Sequence, residues 1–221
     1  MAKLNANLVS LDGIGPLQEA VRSYVKQRAT KTYRQVEASV LQKVREKIRS
    51  RLLSSNVTQS LLSGKLKSDF GLTNSVAARA VSKIIDYVSD NVKVSLKYSY
   101  KGANIATFSL DLLPMGTKEL SMLPEGNYVS TGKFGGGDVT WLTWLLTQGT
   151  TVVIGDYYVF ENPEGNTRAG SVMQKATKRD GFRVDPSFAG TVDDNFVIRA
   201  LQPIIPEIKD QVFRTFSEAL K

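Results

Sequence analysis

The 221-residue chain contains neither cysteine nor histidine. Without cysteine it has no disulfide framework, no thiolate nucleophile and no cysteine-ligated metal site. Without histidine it lacks the side chain that most often serves as a general acid or base near neutral pH and as a ligand for transition metals. The composition therefore argues against an enzyme, and we expect no catalytic residue, no metal site and no cofactor.

Long apolar runs are also missing from the sequence. No stretch approaches the roughly 18 apolar residues that a membrane-spanning helix requires. The apolar run within the first 20 residues is too short for the core of a secretory signal. We therefore expect no membrane partner and a cytoplasm-like compartment for synthesis and assembly.

Positive charge, in contrast, is abundant and concentrated near the N-terminus. The net charge is +8, and ten basic but only three acidic residues lie between Leu17 and Leu53. Apolar residues recur every four positions in this segment, which predicts an amphipathic helix. A break near Ala29–Thr30 and one continuous helix are both compatible with the pattern. The apolar positions are Val36, Val40, Val44, Ile48 and Leu52.

This basic helix allows two interpretations. It could bind nucleic acid, since acidic partners suit such a charge. Alternatively, its apolar stripe packs on its own protein or on a neighbouring subunit while the cations face solvent. We favour packing because only Tyr24 and Tyr33 interleave aromatic rings with the charges. Candidate contacts to an acidic partner, protein in preference to DNA, are Arg45, Arg49 and Arg51.

The remaining pattern predicts an α+β protein. A short helix or loop over 54–72 precedes a helix over 73–91, capped by Thr73 or Asn74. Residues 92–100 and 105–113 alternate polar and apolar around the turn "KGAN", which predicts a β-hairpin. A loop-like segment over 114–137, rich in Gly and Pro, follows.

A helix is predicted from Asp138, which would cap it, and an almost wholly apolar strand over 150–160 should lie centrally in a sheet. Residues 168–178 provide its partner strand. The last helix begins near Asp193 or Asp194 and is interrupted by Pro203 and Pro206. We therefore expect one domain over 1–221, with an antiparallel or mixed sheet of about four strands flanked by helices. Residues 1–60 would form an N-terminal helical arm and 114–137 a long assembly loop.

The glycine run in "KFGGGDVTWLTWLLTQG" resembles a phosphate-binding loop but fails its requirements. Lys133 precedes the glycines instead of following them, and Asp138 would repel a phosphate at the helix start. Gly135, Gly136 and Gly137 are better interpreted as a hinge that fits a neighbouring subunit. Trp141 and Trp144 are three residues apart on an apolar helix, which is typical of a core or a subunit interface.

Other candidate sites are weaker. Asp193 and Asp194 could hold a divalent ion with another acid, but helix capping is the simpler role. Ser171 lacks the second glycine of a nucleophile elbow and has no histidine to activate it.

The stretch "RAGSVMQKATKRDGFRVDPSFAGTVDDNFVIRAL" resembles the C-terminal half of tail-completion or neck (head–tail connector) proteins of long-tailed bacteriophages. Those proteins have a strand start with Arg and Gly, a Gly-Thr turn, and a step through Phe into a helix containing Arg-Ala-Leu. Ala169 replaces the serine expected at the strand start. The matching residues are Arg168, Gly170, Gly190, Thr191, Asn195, Phe196, Arg199, Ala200 and Leu201.

This resemblance implies a virion structural protein that forms a homo-oligomeric ring, hexameric or twelve-fold, between the tail and the head. Its implied partners are copies of itself, other neck and tail proteins, and genomic DNA that passes through the channel without sequence-specific binding. A ring subunit needs no catalytic side chain, which agrees with the composition. It needs surfaces that repeat around a symmetry axis and close.

Overall fold

The structure, a computed structural model, describes residues 3–7, 15–98, 106–113, 116–130, 137–155, 157–161, 171–175 and 181–220. The chain divides into two compact units, whereas the sequence predicts one domain. Unit 1 comprises Met1–Ile48, Val88–Pro114 and Leu201–Lys221, and unit 2 comprises Arg49–Tyr87 and Met115–Ala200. Each unit is therefore assembled from segments that are distant in sequence.

The basic segment forms one helix, α1 (Gly15–Leu53), of 39 residues. The predicted helix is confirmed, and no break occurs at Ala29–Thr30. Because four residues turn the helix by about 400°, a stripe with this spacing advances about 40° per step. The buried stripe therefore winds around α1 and is not confined to one face. Its members are Ala29, Val36, Val40, Val44, Ile48 and Leu52.

Unit 1 contains a three-stranded antiparallel sheet in the order β1–β3–β2. β2 (Lys93–Tyr98) pairs with β3 (Ala106–Asp111), which confirms the predicted hairpin; its turn lies outside the described residues. β1 (Lys3–Asn7) pairs with the other edge of β3 and was not predicted, because residues 1–60 were expected to be helical.

The last helices follow one another along the chain. α7 (Phe196–Leu201) is followed by a 3-10 turn over Gln202–Ile204 and then by α8 (Ile205–Leu220). α7 lies almost wholly in unit 2 and α8 in unit 1. The interruption predicted at Pro203 is confirmed, whereas Pro206 lies in the first turn of α8, where proline is tolerated, and does not interrupt that helix. Within unit 1, the side chain of Lys47 forms an ion pair with Glu207 of α8.

Unit 2 contains the short helices α2 (Asn56–Ser63) and α3 (Lys65–Asp69), and most of α4 (Asn74–Asp90). The amide of Val76 donates to the hydroxyl of Thr73 over 3.4 Å, which confirms the predicted cap. The region predicted as a loop over 114–137 includes α5 (Thr117–Ser121), a 3-10 turn at Pro124–Gly126 and β4 (Tyr128–Ser130).

The strands of unit 2 correct the predicted sheet. β4 pairs with β5 (Gly137–Val139), β6 (Ile154–Gly155) with β9 (Gly181–Phe182), and β7 (Tyr157–Glu161) with β8 (Ser171–Lys175), all antiparallel. A sheet of about four strands is therefore wrong for the described residues, whose largest sheet has three.

The predicted central strand over 150–160 is also wrong. It is divided between β6 and β7, which belong to different strand pairs. Val152 is 49% exposed, so the apolar sequence of this segment does not mean that it is buried on both faces of a sheet. The partner strand is confirmed as β8, with Val159 opposite Met173.

α6 (Trp141–Thr147) begins later than the sequence predicts. Asp138 lies in β5 opposite Val129, two residues before the N-cap position of α6. Thr140 occupies the N-cap position and makes no capping side-chain bond. The predicted Asp138 cap is therefore wrong.

Candidate functional site

The turn before α7 is held by its own polar groups. Asp185 accepts hydrogen bonds from the amide and the hydroxyl of Ser187, over 3.0 and 2.7 Å. These bonds, the hydroxyl first, lower the pKa of the Asp185 carboxyl despite its partial desolvation. Lys65 lies 3.7 Å from the same carboxylate within unit 2.

Gly190 lies where no side chain fits. A Cβ atom there would be 2.7 Å from the Cβ of Asn195 and 2.9 Å from the carbonyl oxygen of Leu145. The Gly190 carbonyl accepts from the amide of Gly149 over 2.8 Å, which ties the turn to the end of α6. This glycine of the phage-neck resemblance is therefore required by a close approach of backbone segments.

Asn195 is the polar centre of the segment and is only 1% exposed. Its Oδ1 accepts from the amides of Val197 and Ile198 over 3.1 and 3.3 Å, which caps α7. Its Nδ2 donates to the hydroxyl of Thr117 over 3.1 Å and to the carbonyl of Thr191 over 3.2 Å. One side chain thus joins α5, the turn and α7.

The predicted cap at Asp193 or Asp194 is wrong, because α7 begins one residue later and uses Asn195. Asp194 instead forms a two-point ion pair with Arg199, over 2.7 and 2.8 Å. The Arg199 hydrogen bond is the main cause of the lowered pKa of Asp194, and it raises the pKa of Arg199. Arg199 also donates to the carbonyl of Ala189 over 3.2 Å.

The structure therefore brings together one group of the predicted residues. Thr191 completes it, since its amide donates to the Asp194 carbonyl and its hydroxyl accepts from the Asp194 amide. We call this group, with Asp194, the closed loop; its members are Gly190, Thr191, Asp194, Asn195, Phe196 and Arg199. Of the other predicted residues, Gly137 begins β5, while Arg168, Gly170, Gly135 and Gly136 lie outside the described residues.

The two tryptophans belong to the packing of unit 2. Trp141 is fully buried, and its ring lies 5.6 Å from that of Phe70. Trp144 is half-buried, 6.0 Å from Phe182 between ring centres. The core interpretation is therefore confirmed for Trp141, whose ring is not available at the surface.

Two exposed apolar residues flank the closed loop, and the sequence did not single them out. Met122 follows α5 and Val192 lies in the turn, with 63% and 51% of their surfaces exposed. The hydroxyl of Thr117 donates to the Val192 carbonyl over 2.7 Å and ties the two elements together. Glu119, three residues after Gly116, was the available signal for α5, because its carboxylate accepts from the Gly116 amide.

The three arginines predicted to contact an acidic partner have partners within their own chain. Arg45 donates to the carbonyl of Asp90 over 3.1 Å, at the end of α4. Arg51 donates to the carbonyl of Ala200 over 3.4 Å, near the end of α7. Arg49 lies 3.2 Å from the Asp86 carboxylate. Two of them thus hold carbonyls at helix C-termini, where cations are favourable.

The part of α1 before Val36 differs from the later part, which contains Arg45, Arg49 and Arg51, in the charges that surround its cations. The side chains of Lys26, Arg28, Lys31 and Arg34 are exposed. No acidic residue occurs between Ala20 and Val36. Tyr24 is 60% exposed and accepts a hydrogen bond from Arg28 over 3.3 Å. Between Ala20 and Val36, the exposed cations of α1 therefore have no acidic residue among them.

Within the described ranges, no group of three acidic side chains is arranged to hold a metal ion, at Asp193–Asp194 or elsewhere. None of the described helices is long and apolar enough to span a bilayer. No protein-family model, curated protein or solved structure matches the chain.

Proposed function

We propose that this protein is a structural subunit of a bacteriophage neck, and that it forms a homo-oligomeric ring between tail and head. The observation that carries the proposal is the closed loop. Residues that the sequence linked to neck and tail-completion proteins, Gly190, Thr191, Asn195 and Arg199, interact directly with one another or with the residues between them. The residues that carry the resemblance therefore form one local structure, and this supports the proposal.

The proposed role is assembly and not catalysis. The chain has no histidine or cysteine, and a ring subunit contributes shape and surface chemistry instead of a reacting group. Hexameric and twelve-fold rings both fit the proposal, as does a position on the tail side or the head side. The partners would be other neck and tail proteins, and the location the virion after assembly in the host cytoplasm.

Ring contacts require an apolar patch that meets a different patch on the next copy. We assign one such patch to the exposed side chains of Val192, whose carbonyl accepts the hydrogen bond from Thr117 of α5, and of Met122, which directly follows α5. Hydrogen bonds from Asn195 and Thr117 to the Val192 carbonyl fix the backbone at Val192, so this part of the patch is formed before assembly. Preformed contacts bind with a smaller cost in conformational entropy.

Sedimentation of the full chain and two matched variants tests the proposal. We expect the wild-type protein to sediment as one closed oligomer and Val192→Asp to shift it towards the monomer. Phe213→Asp is the control, because Phe213 has nearly the same exposure, 50% against 51%, and belongs to unit 1. A wild-type protein that remains monomeric at all concentrations, alone and with neck components, would overturn the ring. Equal effects of the two variants would overturn the assigned patch.

A further inference from the structure

Several polar side chains lie together on the first half of α1. At 100° per residue, they fall within a sector of about 120° around the helix axis. Arg28, Lys31 and Arg34 follow one another at intervals of three residues on this sector. All of these side chains are exposed. We call this surface the basic face; it consists of Tyr24, Gln27, Arg28, Lys31, Arg34 and Gln35.

The spacing of the cations has an electrostatic cost in the free protein. Like charges three residues apart on a helix repel by a few tenths of a kcal/mol per pair. No carboxylate occurs between Ala20 and Val36 to offset this repulsion along the helix. The nearest one, Glu37, accepts a hydrogen bond from Tyr33 over 2.7 Å. Among the described residues, Lys31 and Arg34 have no acidic partner, so an external anion would relieve the repulsion.

The composition of the basic face distinguishes between two kinds of anionic partner. A protein interface normally has an apolar centre that is depleted of charge. Here the exposed positions between Glu19 and Gln35 are cations, glutamine, serine and one small apolar residue, Ala20, and Tyr24 is the one large ring among them. Interfaces with nucleic acid are more polar and strongly basic. A phosphate backbone therefore fits this surface better than an acidic protein does.

We propose that the basic face binds the phosphate backbone of nucleic acid without sequence specificity, with Lys31 and Arg34 as its central contacts. Arg28 and the exposed Tyr24 extend the contact towards the N-terminal end of α1. From Arg28 to Arg34 the helix rises about 9 Å, enough to meet a few phosphates. This binding does not depend on the neck assignment, since it needs only the helix and its charges.

Three phosphate contacts would make the binding weak and dependent on salt. The logarithm of the binding constant should fall with the logarithm of salt concentration with a slope of about −3. Binding of this kind lets a protein slide and hop along DNA. It is therefore compatible with DNA that passes by a ring subunit.

A salt-titrated binding measurement with a fluorescent 30-base-pair duplex tests the proposal. Lys31→Glu combined with Arg34→Glu should weaken binding more than 10-fold at low salt and reduce the magnitude of the slope by about two. The control, Lys43→Glu with Lys209→Glu, makes the same charge change at two exposed positions outside the basic face. The control variant should retain most of the dependence of the binding constant on salt concentration that the wild type shows. Circular dichroism shows whether each variant is folded. If the charge-reversal variant, Lys31→Glu with Arg34→Glu, does not fold, the neutral variant Lys31→Gln with Arg34→Gln is measured in its place.

Three outcomes would overturn the proposal. The first is a wild-type protein that does not bind the duplex even at low salt. The second is equal weakening by the test pair and the control pair, since attraction would then depend on overall charge alone. The third is binding to polyglutamate that exceeds binding to DNA at the same salt concentration, which would assign the surface to an acidic protein.

Discussion

The closed loop and the basic face are both rich in polar groups, but they use them in opposite ways. In the closed loop, Asn195 and Arg199 make hydrogen bonds within the loop and to the elements beside it. On the basic face, Lys31 and Arg34 are exposed and repel each other. The second half of α1 resembles the closed loop, since Arg45, Arg49 and Arg51 have partners within the chain.

Charged and polar side chains thus have two different roles in this protein, stabilising the fold and remaining available to a partner. Composition alone does not distinguish these roles. A buried polar group must be paired, because an unpaired one costs about 1–3 kcal/mol. An exposed cation contributes little to folding, so it remains available to a partner. Contacts with other molecules should therefore be sought among exposed charges without an acidic partner, such as Lys31 and Arg34. Fold specificity should be sought among paired groups, such as the buried Asn195 and the exposed Arg199.

The largest expected effect is on the closed loop. Asn195→Ala removes the cap of α7 and leaves the amides of Val197 and Ile198 without their acceptor. We expect a loss of about 2–4 kcal/mol in the free energy of unfolding, measured by chemical denaturation. Asn127→Ala is the control, because Asn127 is exposed and donates one bond, to Leu123. Similar losses in both variants would contradict the central position of Asn195.

Gly190→Ala should have the next largest effect. The added methyl group would overlap Asn195 and the Leu145 carbonyl, which are backbone or buried atoms that cannot move aside. We expect a loss of about 1–3 kcal/mol. Gly155→Ala makes the same change where no atom lies within 4 Å of the new methyl group, and it should be nearly neutral. A neutral Gly190→Ala would remove the steric reason for this glycine.

Acid should weaken the Asp194–Arg199 ion pair. The folded-state pKa of Asp194 is lowered by its hydrogen bond from Arg199. Its stabilising contribution is therefore complete above the unfolded pKa, about 3.9, and is lost as pH falls through the folded value. Thermal unfolding of wild type and Asp194→Asn should show a difference at pH 6 that shrinks below about pH 4. A difference independent of pH would mean that the charge of Asp194 is not involved.

The smallest effect on stability is expected on the basic face. Lys31→Ala with Arg34→Ala should change the free energy of unfolding by no more than about 0.5 kcal/mol. A small gain would agree with relief of the repulsion between like charges. Thermal denaturation at low salt is the most sensitive measurement, because screening is then weakest. A loss above about 1 kcal/mol would show that these side chains stabilise the fold and would end the contrast with the closed loop.

Sequence periodicity predicted the elements whose signal is local. The four-residue stripe of α1, the Thr73 cap and the alternation in β2 and β3 each depend on neighbouring residues, and all three are confirmed. β1 was missed because five residues carry little periodicity and its partner β3 lies about 100 residues away. The single central strand predicted from the apolar run at 150–160 was wrong for the same reason, since pairing between distant segments decides which strands share a sheet.

The candidate site was predicted only in part. The resemblance located the closed loop, but it did not reveal that Asn195, and not Asp193 or Asp194, caps α7. The arginines Arg45, Arg49 and Arg51 were chosen from charge alone, while their partners are set by tertiary contacts. Met122 and Val192 could not be chosen from sequence, because exposure of an apolar side chain depends on what the fold leaves uncovered.

Single-particle imaging of the purified full chain tests the central claim most directly. The account predicts closed rings with a central opening and a fixed number of subunits, six or twelve. Heterologous contacts that fail to close would give open filaments, and a chain without such contacts would give isolated monomers. Filaments or monomers in place of rings, under conditions in which the protein is folded, would contradict the proposed role as a neck subunit.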